Sequence, residues 1–313
     1  MQEHPQEKAQ NSLRMCVIRA LKCSMAVRLY EAHGLTSHCG LSCGEMKFAT
    51  LGGFLGNWAY LLNGDCVTEL NGCLSAAASK EVVMTPACNE LMRSALGLHV
   101  ASFASTETDG GNFKLADLSF IINFAPPGSR IKDLPTSSAM TYLISCFIPK
   151  IVVEAINTGS FNAMSELRAV TTLFLSLDSY SSELHLDPIS LQPFFLLAQS
   201  AIHSSGGFQR QFIIDDKGCV LIIMWGVPSY SYSNNVSRAI DCAVDIYRAT
   251  TAIGHKVSIG ITTGSVFCGS IGSVVRRDYV GIGDTVNTAA RLMSKARGRI
   301  LMGMYCICMS ICV

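Results

Sequence analysis

The chain has 313 residues, 49% of them apolar and 15% charged, and its 24 Lys and Arg almost balance its 23 Asp and Glu. This length suits about two domains, each with a core, and the composition excludes a disordered chain; a net charge of +1 with no basic run excludes the electrostatic footprint of a nucleic-acid binder. The start, Met1 to Lys8, is polar, and no stretch reaches the roughly 20 apolar residues of a membrane span, Met140 to Ile156 and Ile300 to Val313 coming nearest, so a cytoplasmic location is expected.

In chain order, a helix is predicted over Leu13 to Ala32 and a strand over Gly40 to Cys43. His33, His38, Cys39 and Cys43 lack a Cys-x-x-Cys pair and are read as structural rather than zinc ligands. The other cysteines of the 14 are scattered through apolar segments, as reduced buried thiols are. A turn region at Gly52-Gly53, a helix over Asp65 to Ser79 and a strand over Glu81 to Thr85 follow. Ala104 to Ser138, rich in Gly, Pro, Ser, Thr and Asp, reads as a linker, and Thr141 to Ile156 as helical with Pro149 as a kink or start.

The β-type run Val170 to Leu177 opens a second region. Asp187-Pro188 and Gly206-Gly207 delimit a helix over Pro188 to Ser204. Phe208 to Ile214 and Cys219 to Trp225 form a hairpin around Asp215-Asp216-Lys217-Gly218. A helix over Val236 to Thr251, a strand over Lys256 to Thr262, a helix capped by Asp284 and running to Ala296, and a strand at Ile300 to Met302 complete the order β-α-β-β-α-β plus α-β. The pattern is α+β and ferredoxin-like, with helices expected on one side of a sheet.

The chain also resembles itself. Arg238 to Ala243 echoes Arg19 to Ser24, 219 positions earlier, and Tyr279, Gly283, Asp284 and Val286 match Tyr60, Gly64, Asp65 and Val67 at the same offset. Gly260 and Gly264 match Gly40 and Gly44 at an offset one larger. Two related units are therefore expected: residues 13–100 as the later part of a first copy, 101–163 as linker and lead-in helix, 164–303 as a nearly complete second copy, and 304–313 as an atypical apolar tail.

The stretch Arg276 to Met293 resembles the most diagnostic segment of class III nucleotide cyclases, and Val170 to Leu177 and Lys256 to Gly269 extend the likeness across most of the second copy. The paired layout is most similar to that of the soluble adenylyl cyclases. The resemblance implies a cyclase catalytic domain that makes cyclic AMP and pyrophosphate from ATP, with Mg²⁺ or Mn²⁺ in the complete site.

Under that resemblance Asn287 orients the ribose and Arg291 neutralises the phosphate during attack. Spacing alone puts these two on one helix face. Base contacts are assigned to Gln211, with Lys217 as an alternative, and to Val280. The family's two metal aspartates fall at Ser176 and Cys219, which are poor hard-oxygen ligands, while Asp178, Asp215 and Asp216 are off register, so no metal ligand is assigned in this chain. The family's bicarbonate-binding arginine falls at Asn71. Little activity is expected from the chain alone, and a complementary cyclase half or a second copy is the expected partner. The other reading is a catalytically inactive module that binds nucleotide or a partner half.

Overall fold

A computed structural model describes residues 5–31, 33–96, 104–116, 137–180, 187–215, 218–272, 277–304 and 306. Contacts divide the chain into two compact units, residues 1–46 with 64–134 and residues 47–63 with 135–313. No helix among the described residues is long and apolar enough to cross a membrane.

The first unit carries α1 (Pro5–Leu29), β1 (Cys39–Leu41), and, beyond the hairpin β2 (Lys47–Phe54) and β3 (Asn57–Asn63), α2 (Asp65–Ala76), β4 (Val82–Met84), α3 (Pro86–Leu96), β5 (Ser105–Glu107) and β6 (Phe113–Leu115). Its sheet order is β1-β4-β6-β5. Val17, Ile18, Leu21 and Met25 recur on one face of α1 and bury against Val82, Met84, Cys88 and Met92. Cys39 and Cys43 pack against this core, which fits their structural reading. The short hairpin β5–β6 lies inside the segment read as linker; three-residue strands around Asp109-Gly110-Gly111 are too brief to show alternation. Of that segment, residues 117–136 lie outside the described residues.

The second unit adds α4 (Ser138–Ser145), α5 (Lys150–Asn157), β7 (Glu166–Leu177), α6 (Gln192–Ser205), β8 (Phe208–Asp215), β9 (Gly218–Trp225), α7 (Asn235–Ala252), β10 (Val257–Gly272), β11 (Arg277–Ile282), α8 (Asp284–Ala296) and β12 (Ile300–Met302). Pro149 is the N-cap of α5, so of the two roles expected for it, kink or start, it takes the second, and the helical span 141–156 is two helices. The sheet runs β11-β10-β7-β9-β8 with β12 beside β10, and β7, β8, β9 and β10 take the 4-1-3-2 order of a ferredoxin-like unit.

Strand alternation gives this sheet two working faces. Leu173, Leu175, Leu221, Ile223, Trp225, Ile259 and Ile261 point to one face and bury against Phe194, Phe195 and Ala198 of α6 and Ala239, Ala243 and Ile246 of α7. Phe174 and Val220 point the other way and pack on Ala289 and Met293 of α8. The expectation that the helices share one side is thus corrected. Period-two alternation identifies the residues that share a face but not the helix that covers the second face.

The hairpin β2–β3 belongs to the second unit although its sequence matches the first copy. Leu51 and Leu61 enter the core beside α6. The Gln192 amide both donates to Gly52 O and accepts from Gly52 N, each at 2.8 Å. Seven residues on, the buried Gln199 donates to Asn57 O at 3.0 Å and accepts from Phe54 N at 3.3 Å. Two side chains on one helix face thereby satisfy edge groups that another strand would otherwise pair. The expected turn at Gly52-Gly53 is strand; the chain reverses at Leu55-Gly56 instead, and Gly52 and Gly53 (φ 103° and 94°) lie where a Cβ would strike Gln199 and the Trp58 ring.

Candidate functional site

The site is built on α8 and the strand beneath it. Gly283 is the N-cap and Asp284 the first helical residue, so Asp284 acts on the helix dipole rather than as the cap expected from the sequence. Ala289, Met293 and Ala296 are buried against the sheet. Asn287 and Arg291 project from the exposed side, one turn apart, and among the described residues neither side chain has a hydrogen-bond partner.

Bare backbone on β10 seats the helix. A Cβ added to Gly260 would lie 2.2 Å from Ala289 O and 2.4 Å from Met293 N, and one on Gly264 would lie 2.5 Å from Thr285 Oγ1. Between them Thr262 donates to Thr285 O at 2.8 Å. These alternate positions share a sheet face, and any side chain at either glycine lifts α8 and the two residues it displays. Gly260→Ala is accordingly expected to cost about 1–3 kcal/mol by overpacking, read as a lower urea midpoint. An unchanged midpoint would mean that the helix does not lie this close.

Gln211 opposes Ile222 across β8 and β9, on the same sheet face as α8. Val280 sits on β11 and alternates with Tyr279 and Gly281, which face Phe208 and Met224, so its side chain turns away from that core. The structure therefore sets Gln211 and α8 on one face and does not direct Val280 toward them. Lys217 and Asp216 lie outside the described residues, as does the Asp215 side chain.

Ser176 and Cys219 separate in the same way. Ser176 pairs with Val220 across β7 and β9 and therefore faces α8. Cys219 is the next residue along β9 and is buried on the opposite face. Two side chains on opposite faces of a sheet do not converge on one ion, and a hydroxyl and a thiol are weak ligands for Mg²⁺, so these residues do not fit a two-metal site. Asp178 accepts from Ser258 Oγ at 2.6 Å, and Ser258 in turn accepts from Gly298 N, which ties that carboxylate to the strand end. Among the described residues no group of three or more His, Cys, Asp or Glu is placed to hold a metal.

Arg210 was not legible as a site residue. A bulge between Gln209 and Gln211 displaces it from the β8 ladder. Burial pulls its guanidinium down from its ordinary range while Asp278 on β11 acts against that shift. Phe208 and Tyr279, 6.0 Å apart and edge-on, join the same two strands. The only sequence signal was the polar run Gln209-Arg210-Gln211 inside an apolar strand.

Residues 217–305, which carry the Asn287 and Arg291 pair and the glycines that seat α8, match the family described as Adenylate and Guanylate cyclase catalytic domain. This stretch, a little over a quarter of the chain, is similar to the class III nucleotide cyclases. It is 25% identical over 312 residues to adenylate cyclase type 10 of Homo sapiens, covering 90% of this chain and 19% of that protein. Adenylate cyclase 1 of Rhizobium meliloti is 27% identical over 212 residues, 59% of this chain and 30% of that protein. The solved adenylyl cyclase CyaB from P. aeruginosa is 19% identical with a TM-score of 0.42, covering 48% of this chain and 83% of that one. The chain thus spans about a fifth of the length of its mammalian relative.

Proposed function

We propose that this chain is an adenylate cyclase-type protein for cyclic nucleotide signalling in the cytoplasm, made of a partial and a nearly complete cyclase copy, and that it supplies the ribose- and phosphate-contacting half of an ATP site. The observation that carries the proposal is the exposed Asn287 and Arg291 pair, one turn apart on α8 within the stretch that matches the cyclase catalytic domain. An asparagine that both donates and accepts suits the ribose hydroxyls. An unneutralised guanidinium suits the charge that develops on phosphate as the 3′-oxygen attacks. Gln211, on the α8 face, is assigned to the base, while Val280 turns from that face and is set aside, with ATP favoured by the adenylate cyclase relatives. The metal ions, Mg²⁺ or Mn²⁺, are assigned to carboxylates from a complementary cyclase half or a second copy.

A second reading, a nucleotide-binding or dimerisation module without turnover, is favoured by the opposed directions of Ser176 and Cys219. One experiment separates the two. The purified chain is assayed with ATP and Mn²⁺ alone and after mixing with a cyclase half that carries both metal aspartates. The first reading expects cyclic AMP only from the mixture. ATP binding with no product in either case selects the second, and robust product from the chain alone overturns the assignment of a missing metal half.

A further inference from the structure

The second unit contains a cleft of about 600 Å³ that none of the proposed site residues lines. Its size is that of a small-molecule site. The hairpin tip at Leu55 to Asn57, helices α4 and α5, the C-terminal end of α6 and the turn around Ser229 enclose it.

Its polar centre is Glu154. Ser229 Oγ donates to Glu154 Oε2 at 2.9 Å, and Lys150 Nζ stands 3.8 Å from Oε1, so an acceptor and a donor lie side by side. Ser229 has φ 63°, a left-handed conformation that serine rarely adopts, within a turn closed by Tyr230 N donating to Val227 O. Burial, and then Glu154, push the Tyr230 phenol up, which keeps it a neutral donor.

The aromatic part of the lining is Tyr142, Tyr230, Tyr232 and His203. Tyr232 is already fixed, because Arg238 lies over its ring 4.0 Å from the centroid and Tyr232 N donates to Asn235 Oδ1. Helix α6 ends at the cleft in the left-handed Gly206, so it presents the negative end of its dipole there. Lys150 is engaged by Glu154, and Arg238 Nη1 donates to Ser205 O at that helix end, so a phosphate gains neither cation without displacing an existing partner. A purely apolar ligand would desolvate Lys150 and Glu154 with nothing in return. A flat ring with an amine beside a ring nitrogen satisfies the aromatic walls, the carboxylate and the ammonium together.

We infer that this cleft is a second small-molecule site, separate from the proposed catalytic one, for an uncharged planar heteroaromatic amine of the nucleoside type. The amine donates to Glu154, the adjacent ring nitrogen accepts from Lys150, and the ring stacks on the tyrosines. Trp58 N donates to Cys146 O at 2.9 Å and joins the hairpin to α4 beside the cleft, so occupancy is reported by the half-exposed Trp58, Trp225 being buried.

The test titrates the whole chain with adenosine and with adenosine monophosphate, following tryptophan fluorescence and saturation-transfer NMR of the ligand. Saturable adenosine binding is expected, with the monophosphate about tenfold weaker or more, given the opposing charge. Glu154→Gln and Tyr142→Ala are each expected to weaken adenosine about tenfold, and Asn287→Ala, at the proposed ribose contact of the nucleotide site, to leave it unchanged. Absence of saturable binding overturns the inference. So does tighter binding of the monophosphate, or binding lost in Asn287→Ala but kept in Glu154→Gln, which would put adenosine at the nucleotide site instead. Because the two residue sets do not overlap, this inference and the cyclase reading fail independently.

Discussion

Arg291→Ala is expected to lower cyclic AMP formation by the complemented protein about 10²- to 10³-fold in kcat, the loss seen when one preorganised donor to a developing oxyanion is removed. ATP affinity should fall much less, because the guanidinium is assigned to charge that grows in the transition state. Arg291 is exposed and its neighbours Ala289 and Met293 hold α8 down, so stability should stay within about 0.5 kcal/mol of the parent. Arg291→Lys should restore only part of the rate, since an ammonium keeps the charge but not the planar fork. The measurement is steady-state cyclic AMP production by parent and variant chains mixed with the same metal-bearing half. A variant with the parent's kcat would remove Arg291 from the chemistry and leave the binding-module reading.

The second large effect concerns stability. Cys219→Asp writes the family's metal carboxylate back into the sequence, yet the position is 1% exposed and packs among the apolar residues between the sheet and α6. An unpaired carboxylate there loses its hydration without a cation in return, so a cost of about 3–5 kcal/mol is expected. For a unit of this size that is a fall of roughly 10 °C in Tm. Ser176→Asp, half-buried on the opposite face, should cost much less. The double variant should gain no Mn²⁺ affinity, because the two carboxylates start on opposite sides of the strand pair. Calorimetry with and without Mn²⁺ decides this. A double variant of parental stability that is further stabilised by Mn²⁺ would mean that Cys219 turns to the α8 face.

Much of this was readable before any coordinates. The end of α8 at Ala296 and the limits of β12, Ile300 to Met302, agree with the sequence reading, because apolar positions recur at helical spacing along α8 and Gly298 breaks the helix before the strand. Asp187 accepts from Ile189 N and Gly206 caps α6 in the left-handed region, as Asp-Pro and Gly-Gly signals imply. The placement of Asn287 and Arg291 on one face follows from their spacing of four. Arg210 escaped notice because a bulge has no signature of its own, and the cleft did because four separate chain segments build it.

The sequence by itself determined most helices and strands of the second unit, their order and the helix that displays Asn287 and Arg291, since local periodicity, caps and glycine positions are properties of neighbours along the chain. Only the tertiary structure decided that α8 covers the face opposite α6 and α7, that β2–β3 is held by Gln192 and Gln199, and that Ser176 and Cys219 point apart. Those outcomes depend on strand register, and a shift of one residue reverses every side chain on a strand. Register is fixed by packing between segments distant in sequence, which no local pattern records.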